Sequence, residues 1–213
     1  METAELKSAL RARIWAGRRA RSAADVAQAG TPIAVHGRLW AHGHVPEGGT
    51  LTAYLGVGAE PPTTALLAGL HEDGYRVLLP VCLPGRGLGW VRWHPRIAFE
   101  RSRFAPVQEP VGPVLDTDGL VAGDAAEGRA PLAAILLPAT ALDAEGRRLG
   151  QGGGYYDRFL ARLDAAGTQV PTAAVVFDDE LLPAGGVPDE PLDRRVGAAI
   201  TPAGLVDLRA RSR

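Results

Sequence analysis

Leu6, Leu10 and Ile14 recur every four residues, a spacing that predicts a helix over residues 4–20 with one apolar stripe. Lys7 and Arg11 are also four apart and share a neighbouring face. Short apolar runs bounded by Gly or Pro follow at Leu51–Val57, Arg76–Val81, Gly89–Trp93, Ala133–Leu137, Thr172–Phe177 and Val196–Thr201, and they read as strands. Helical patterns lie between some of them, at Thr63–Asp73 and at Tyr155–Ala166, where Tyr156, Phe159, Leu160 and Leu163 fall on one side. Strands alternating with helices predict an α/β fold: a largely parallel, doubly wound, Rossmann-like sheet with helices on both faces. Ala133 to Leu137 lacks polar alternation, as expected of a strand buried on both sides. Residues 103–129, with their prolines and scattered acids, read as a long surface loop.

Composition narrows the function classes. At 213 residues the chain reads as one domain, 1–213, large enough to bury a core without disulfides. Cys82 is the single cysteine, which rules out an intrachain disulfide and a multi-cysteine zinc site. The longest uncharged runs, Ala130–Leu142 and Ala165–Phe177, are broken by proline and fall short of the ~18 apolar residues of a membrane span. The first residues are charged from Glu2 on, without an apolar signal core, so the expected location is the cytoplasm. A net charge of −1 argues against nucleic acid as a partner.

Lys7 is the single lysine in the sequence, and its context is not that of a G-x-x-x-x-G-K-[ST] phosphate loop or of a protein kinase. No serine sits in G-x-S-x-G, and His71-Glu72 does not continue into H-E-x-x-H. His42 and His44 flank a glycine without a third metal ligand in sight and read as part of a polar loop. Residues 1–21 carry a net +4, either a solvated basic face or a site for anions.

The segment that carries chemistry runs from Leu136 to Leu160. The predicted strand leads into a turn at Asp143–Gly146, then Arg148-Leu149-Gly150-Gln151-Gly152-Gly153-Gly154, then a helix opening with Tyr155-Tyr156-Asp157. Glycines let main-chain N–H groups approach an anion, a helix N-terminus favours negative charge, and an arginine fork matches phosphate oxygens. A flexible glycine hairpin before a capped helix is the plainer alternative. Asp157 has two readings, a first-turn acid or a ligand of Mg²⁺ bridging phosphates. Tyr155 and Tyr156 have two as well, core packing or stacking on a planar ligand.

R-L-G-x-G-x-G-Y-Y-D-R-F-L at Arg148–Leu160, after a strand ending in Leu137-Pro138, resembles the signature of the 5-formyltetrahydrofolate cyclo-ligase family. The resemblance extends to Lys7-Ser8-Ala9-Leu10-Arg11, to Ala53-Tyr54-Leu55 through Glu60-Pro61-Pro62-Thr63, to Val77–Pro80, to Gln108-Glu109-Pro110 and to Asp193–Thr201. It implies closure of 5-formyltetrahydrofolate to 5,10-methenyltetrahydrofolate with release of ADP and phosphate, a reaction on small molecules; a monomer is expected, although the sequence itself carries no signal of oligomeric state. It further implies ATP contacts from Lys7, Arg11, Arg148, Leu149, Gly150, Gln151, Gly152, Gly153, Gly154, Tyr155 and Tyr156. Folate contacts would come from Arg11, Leu55, Glu60, Gln151, Gly152, Gly153, Gly154 and Tyr155, and Mg²⁺ ligands from Asp157 and Asp193. Lys7, Arg148 and Tyr155 are the residues expected to act on the reacting groups. The chain departs from the family pattern at Leu192, at Arg195, where proline is common, and at Gly197, where a second aspartate is usual. A relative acting on another substrate and a non-catalytic nucleotide- or folate-binding protein are the alternatives.

Overall fold

A computed structural model describes residues 2–191 and 193–208. The first helix, α1 (Thr3–Ala20), starts on a capping box between Glu2 and Glu5. It buries Lys7, Leu10, Ile14 and Arg18, while Leu6 stays 38% exposed. The expected stripe therefore holds at Leu10 and Ile14, and Lys7 rather than Leu6 continues it toward the start of the helix. Spacings of three and four residues keep a straight line on a 3.6-residue helix, and successive steps of four drift off it.

Residues 23–44 carry no clear sequence pattern, yet they form α2 (Ala23–His44), capped by Ser22 and Asp25 and containing Pro32. His42 and His44 occupy its last turn rather than the polar loop expected of them. His42 pairs with Asp73 (3.0 Å), and the His44 ring contacts the Trp40 carbonyl (2.7 Å).

The chain continues through β1 (Thr50–Thr52), α3 (Thr64–Glu72), β2 (Arg76–Leu83), β3 (Gly87–Arg92), β4 (Phe99–Arg101) and β5 (Gln108–Pro110). Then come α4 (Thr117–Ala122), β6 (Leu132–Pro138), β7 (Ala141–Asp143), β8 (Arg148–Leu149) and α5 (Tyr155–Ala165). The last strands are β9 (Thr172–Val175), β10 (Leu181–Leu182), β11 (Ala198–Ile200) and β12 (Leu205–Asp207). Residues 103–129 thus hold a strand and a short helix as well as loop. Phe104 lies in the connection between the antiparallel β4 and β5.

The main sheet has the order β12-β11-β9-β6-β1-β2-β3. Its five inner strands are parallel, and β3 and β12 pair antiparallel at the edges, as the strand–helix alternation predicts. Strand pleating divides the core. Leu51, Val77, Leu79, Ala134, Leu136 and Val175 pack with α2 and α3, and Leu78, Trp90, Ile135, Leu137 and Ala174 with α4 and α5. Strand β6 is buried on both faces, as its unbroken apolar run predicts. The loops after β1 and β6 leave the same edge of this parallel sheet, where open α/β sheets bind ligands. Across that edge lies α1, with Leu10 and Ile14 packed on Ala141, Leu149 and Val187.

Candidate active site

The glycine loop is held between a short hairpin and a helix. β7 and β8 pair antiparallel, which delivers Arg148 at the loop entrance. Gly152 (φ +97°) and Gly154 (φ +71°) both adopt the left-handed backbone that side chains strain. Gly154 is also the N-cap of α5 and supplies no capping side chain, so first-turn amides of the helix are left for another acceptor.

Arg148 is buried beside this helix end. Its Nη2 donates to Asp157 Oδ1 (2.6 Å), its Nη1 to the Pro138 carbonyl (3.2 Å), and its Nε is buried without a partner. A Cβ at Gly150 would come within 2.9 Å of Arg148 Nη1, so that glycine makes room for the guanidinium.

Helix α1 supplies the opposite wall. Arg11 Nε donates to the Gly150 carbonyl (2.8 Å), and Trp15 Nε1 to Gln151 Oε1 (3.0 Å). Gln151 Nε2 in turn donates to Glu60 Oε1 (3.1 Å), whose other oxygen accepts the Val57 amide (3.1 Å). Helix, glycine loop and post-β1 loop are therefore linked through Gln151. Burial pushes the Glu60 carboxyl above its ordinary pKa, against the Val57 amide, Arg18 and Gln151, which favour the carboxylate.

Lys7 is buried between Asp193 Oδ2 (2.5 Å) and Glu190 Oε2 (2.9 Å). Burial opposes its charge, but the hydrogen bonds and charges of those two carboxylates outweigh it, and its pKa is raised. The solvated-face reading of this helix is excluded for Lys7, and also for Arg18. Arg18 holds Glu180 with Nε and Nη2, both at 2.8 Å, and the Ala139 carbonyl at 2.9 Å.

Of the residues expected at the site, Arg11, Arg148, Leu149 and Gly150 to Tyr155 converge around the loop, and Glu60 joins them through Gln151. Leu55 is half-buried against the α2–α3 core. Tyr155 donates its hydroxyl to the Phe104 carbonyl (3.1 Å). Tyr156 packs edge-on against Phe159, its hydroxyl buried without a partner, so the core reading holds for its ring. Cys82 lies close to Tyr155, and burial lifts its thiol to about 11, which keeps it neutral and a poor nucleophile.

The two aspartates reach the loop by separate routes, Asp157 through Arg148 and Asp193 through Lys7, one turn before Arg11. Among the described residues no group of three His, Cys, Asp or Glu side chains could hold a metal. Two hard oxygen donors suit magnesium only in company with phosphate oxygens and water. Leu192 lies outside the described residues.

Trp15, Arg18, Glu180 and Glu190 were not expected. Arg18 stands eleven residues from Lys7, three turns along the same line, and that spacing is its signal. The two glutamates carry none, because their partners are more than 160 residues away.

The family model described as the 5-formyltetrahydrofolate cyclo-ligase family matches residues 3–202. A 5-formyltetrahydrofolate cyclo-ligase of Mycolicibacterium smegmatis is 38% identical over 212 residues, covering 95% of this chain and 97% of the relative. One from Escherichia coli is 30% identical over 156 residues, covering 72% and 78%. The solved structure of a 5,10-methenyltetrahydrofolate synthetase from Aquifex aeolicus superposes with a TM-score of 0.71 at 22% identity, covering 96% of this chain and 93% of that one. At that identity the likeness concerns the fold.

Proposed function

The chain belongs to the 5-formyltetrahydrofolate cyclo-ligase family, and from that premise we propose that it closes 5-formyltetrahydrofolate to 5,10-methenyltetrahydrofolate at the expense of ATP. The formyl oxygen of the substrate attacks the γ-phosphorus and ADP departs. N10 then attacks the activated formyl carbon, the carbon–oxygen bond breaks, and phosphate leaves with that oxygen and takes up the N10 proton. Such chemistry asks for positioning and charge neutralisation rather than a protein nucleophile.

The observation that supports this most is the convergence of Arg11, Arg148 and the uncapped start of α5 on one glycine loop. In this reading the loop amides and Arg148 Nε take phosphate oxygens. Arg11 holds the loop closed, and Lys7 exchanges a carboxylate for phosphate. Gln151 and Glu60 face the folate, and Glu60 accepts hydrogen bonds from pterin nitrogens. Asp157 and Asp193 would hold magnesium together with the nucleotide; when bound, it supplies neutralisation of the phosphoryl oxygens.

The methenyl product absorbs in the near ultraviolet and its precursor does not. Mixing the purified protein with 5-formyltetrahydrofolate and Mg-ATP is expected to raise that absorbance, with no rise when ATP is omitted. Nucleotide binding without product would indicate the non-catalytic alternative.

Two variants test the loop and the folate side. A Cβ at Gly152 would meet the Arg11 guanidinium no closer than 3.7 Å, so the obstacle to Gly152→Val is its positive φ, worth roughly 1–3 kcal/mol of strain. Calorimetry should show ATP binding weakened about tenfold or more while circular dichroism stays native. Wild-type affinity would return the loop to a plain hairpin.

Glu60→Gln removes a charge that burial disfavours. A carboxyl with a raised folded pKa binds more protons folded than unfolded, so it weakens the fold as pH rises past its ordinary value. The glutamine variant should melt at the wild-type temperature or slightly above at neutral pH. Its KM for 5-formyltetrahydrofolate should rise roughly tenfold through loss of charge-assisted hydrogen bonds, with the KM for ATP nearly unchanged. Equal changes in both KM values would assign Glu60 a structural role.

A further inference from the structure

A cavity of about 400 Å³ lies at the end of the β2–β3 pair away from the glycine loop. Its position follows from register. Arg76 opens β2 beside Thr50, the first residue of β1, which places it at the N-terminal edge of the parallel strands, away from the glycine loop. Arg92 closes β3 directly opposite Leu78. Pleating puts Arg76, Leu78, Trp90 and Arg92 on one face, with the two arginines diagonal to each other. The rest of the lining is mostly apolar, from Val111, Val114 and Leu115 with Leu78 and Trp90 fully buried, and it also takes in His94 and Glu127.

Two like charges at neighbouring positions of one sheet face are unfavourable without an anion between them. The third arginine of the cavity, Arg129, is balanced: its Nη1 donates to the Gly119 carbonyl (2.7 Å), and its Nη2 lies 3.4 Å from Asp124 and 3.8 Å from Glu127. Among the described residues no carboxylate pairs with Arg76 or Arg92. Arg76 Nε, on a residue lining this cavity, is buried with no hydrogen-bond partner. Burial, then the charges of Arg92 and Arg129, hold the Arg76 guanidinium below its ordinary pKa, with Glu127 a smaller opposing influence. An unpaired buried donor on a cation is costly, and a ligand supplying an acceptor relieves that cost.

We propose that the Arg76–Arg92 cavity is a second ligand site, distinct from the glycine-loop site, that takes a small organic anion: an oxyanion head group between the two guanidinium forks and an apolar or aromatic body against the exposed Val111 and Val114. The forks match carboxylate and phosphate alike, and the apolar lining favours a ligand with a carbon body over a bare ion.

The test is a titration of the full chain with phenyl phosphate, benzoate and inorganic phosphate in turn, followed by the backbone amide resonances of Arg76, Arg92 and Val114. Phenyl phosphate or benzoate should shift those resonances saturably, at about millimolar half-saturation for ligands of this size. The stronger of the two identifies the head group. Inorganic phosphate should bind about tenfold more weakly. Arg92→Gln removes an exposed charge and should weaken the organic anion about tenfold while cyclisation activity stays at the wild-type level; Arg76→Gln should do the same. Arg92→Gln decides the matter if the Arg76 variant does not fold. Amide resonances of Arg76, Arg92 and Val114 unmoved by all three probes overturn the proposal. So does an equal response in Arg92→Gln, or a response confined to the Gly152 and Gly154 amides.

Discussion

Arg148→Met is expected to lower kcat by about 10²–10³, the loss typical of removing one preorganised donor from a developing charge. The buried guanidinium is the fixed cation of the glycine loop. Two of its nitrogens are spent on Asp157 and the Pro138 carbonyl, which aim the third, Nε, with no partner of its own. The fold should survive. Asp157, the partner left behind, is one-third exposed and sits in the first turn of α5, where the helix end favours its charge. The stability cost is therefore on the order of 1–2 kcal/mol, or roughly 2–8 °C in Tm for a chain of this size. Arg148→Lys keeps the charge but cannot hold Pro138 and Asp157 with one planar fork, so it should recover little turnover. Steady-state rates and thermal melts on the same preparations check both statements. Unchanged turnover in Arg148→Met would reduce the residue to a strut between β8 and α5.

Where local chemistry dictates local structure, the chain is legible. The Ala133–Leu137 run has no polar position and is a strand covered on both faces. The glycines of 150–154 are required by backbone angle at Gly152 and Gly154 and by close approach at Gly150, and they form the loop their pattern suggests. Helix α2 is hidden because Gly30, Pro32, Gly37 and Gly43 read as breakers. Packing sets at least one of them: a Cβ at Gly37 would lie 2.6 Å from Leu66 of α3, and Gly69 of α3 receives the Arg38 side chain. Such glycines record the closeness of two helices, which no local pattern announces. Charge is similarly misleading in α1. Leu6 faces water and Lys7 does not, because the carboxylates that stabilise a buried ammonium arrive from residues 190 and 193. Spacing places Lys7 and Arg11 together, and only the tertiary fold shows that the first is caged and the second holds the loop.

That cage makes Lys7→Ala a two-part result. Loss of a charge-assisted contact to the triphosphate should lower kcat/KM for ATP by roughly 10- to 100-fold. A solvated lysine would leave the melting temperature alone, but here the substitution leaves Asp193 and Glu190 facing each other across the vacated position. Glu190 is nearly half exposed and water can reach it, so the cost is on the order of 1–2 kcal/mol rather than that of a sealed ion pair. The sign with pH follows from the raised pKa of Lys7. Its contribution is present throughout neutral pH, below the ordinary lysine value, and is lost only as pH rises through the folded value. Wild type and Lys7→Ala should therefore differ in Tm at pH 7 and converge under strongly alkaline conditions. Glu190→Gln in the Lys7→Ala background removes one of the two opposed charges and should recover part of the lost Tm without recovering ATP dependence. Recovery of both together would mean that Lys7 acts on the nucleotide only by holding the 190–193 segment in place, and its direct contact with phosphate would have to be given up.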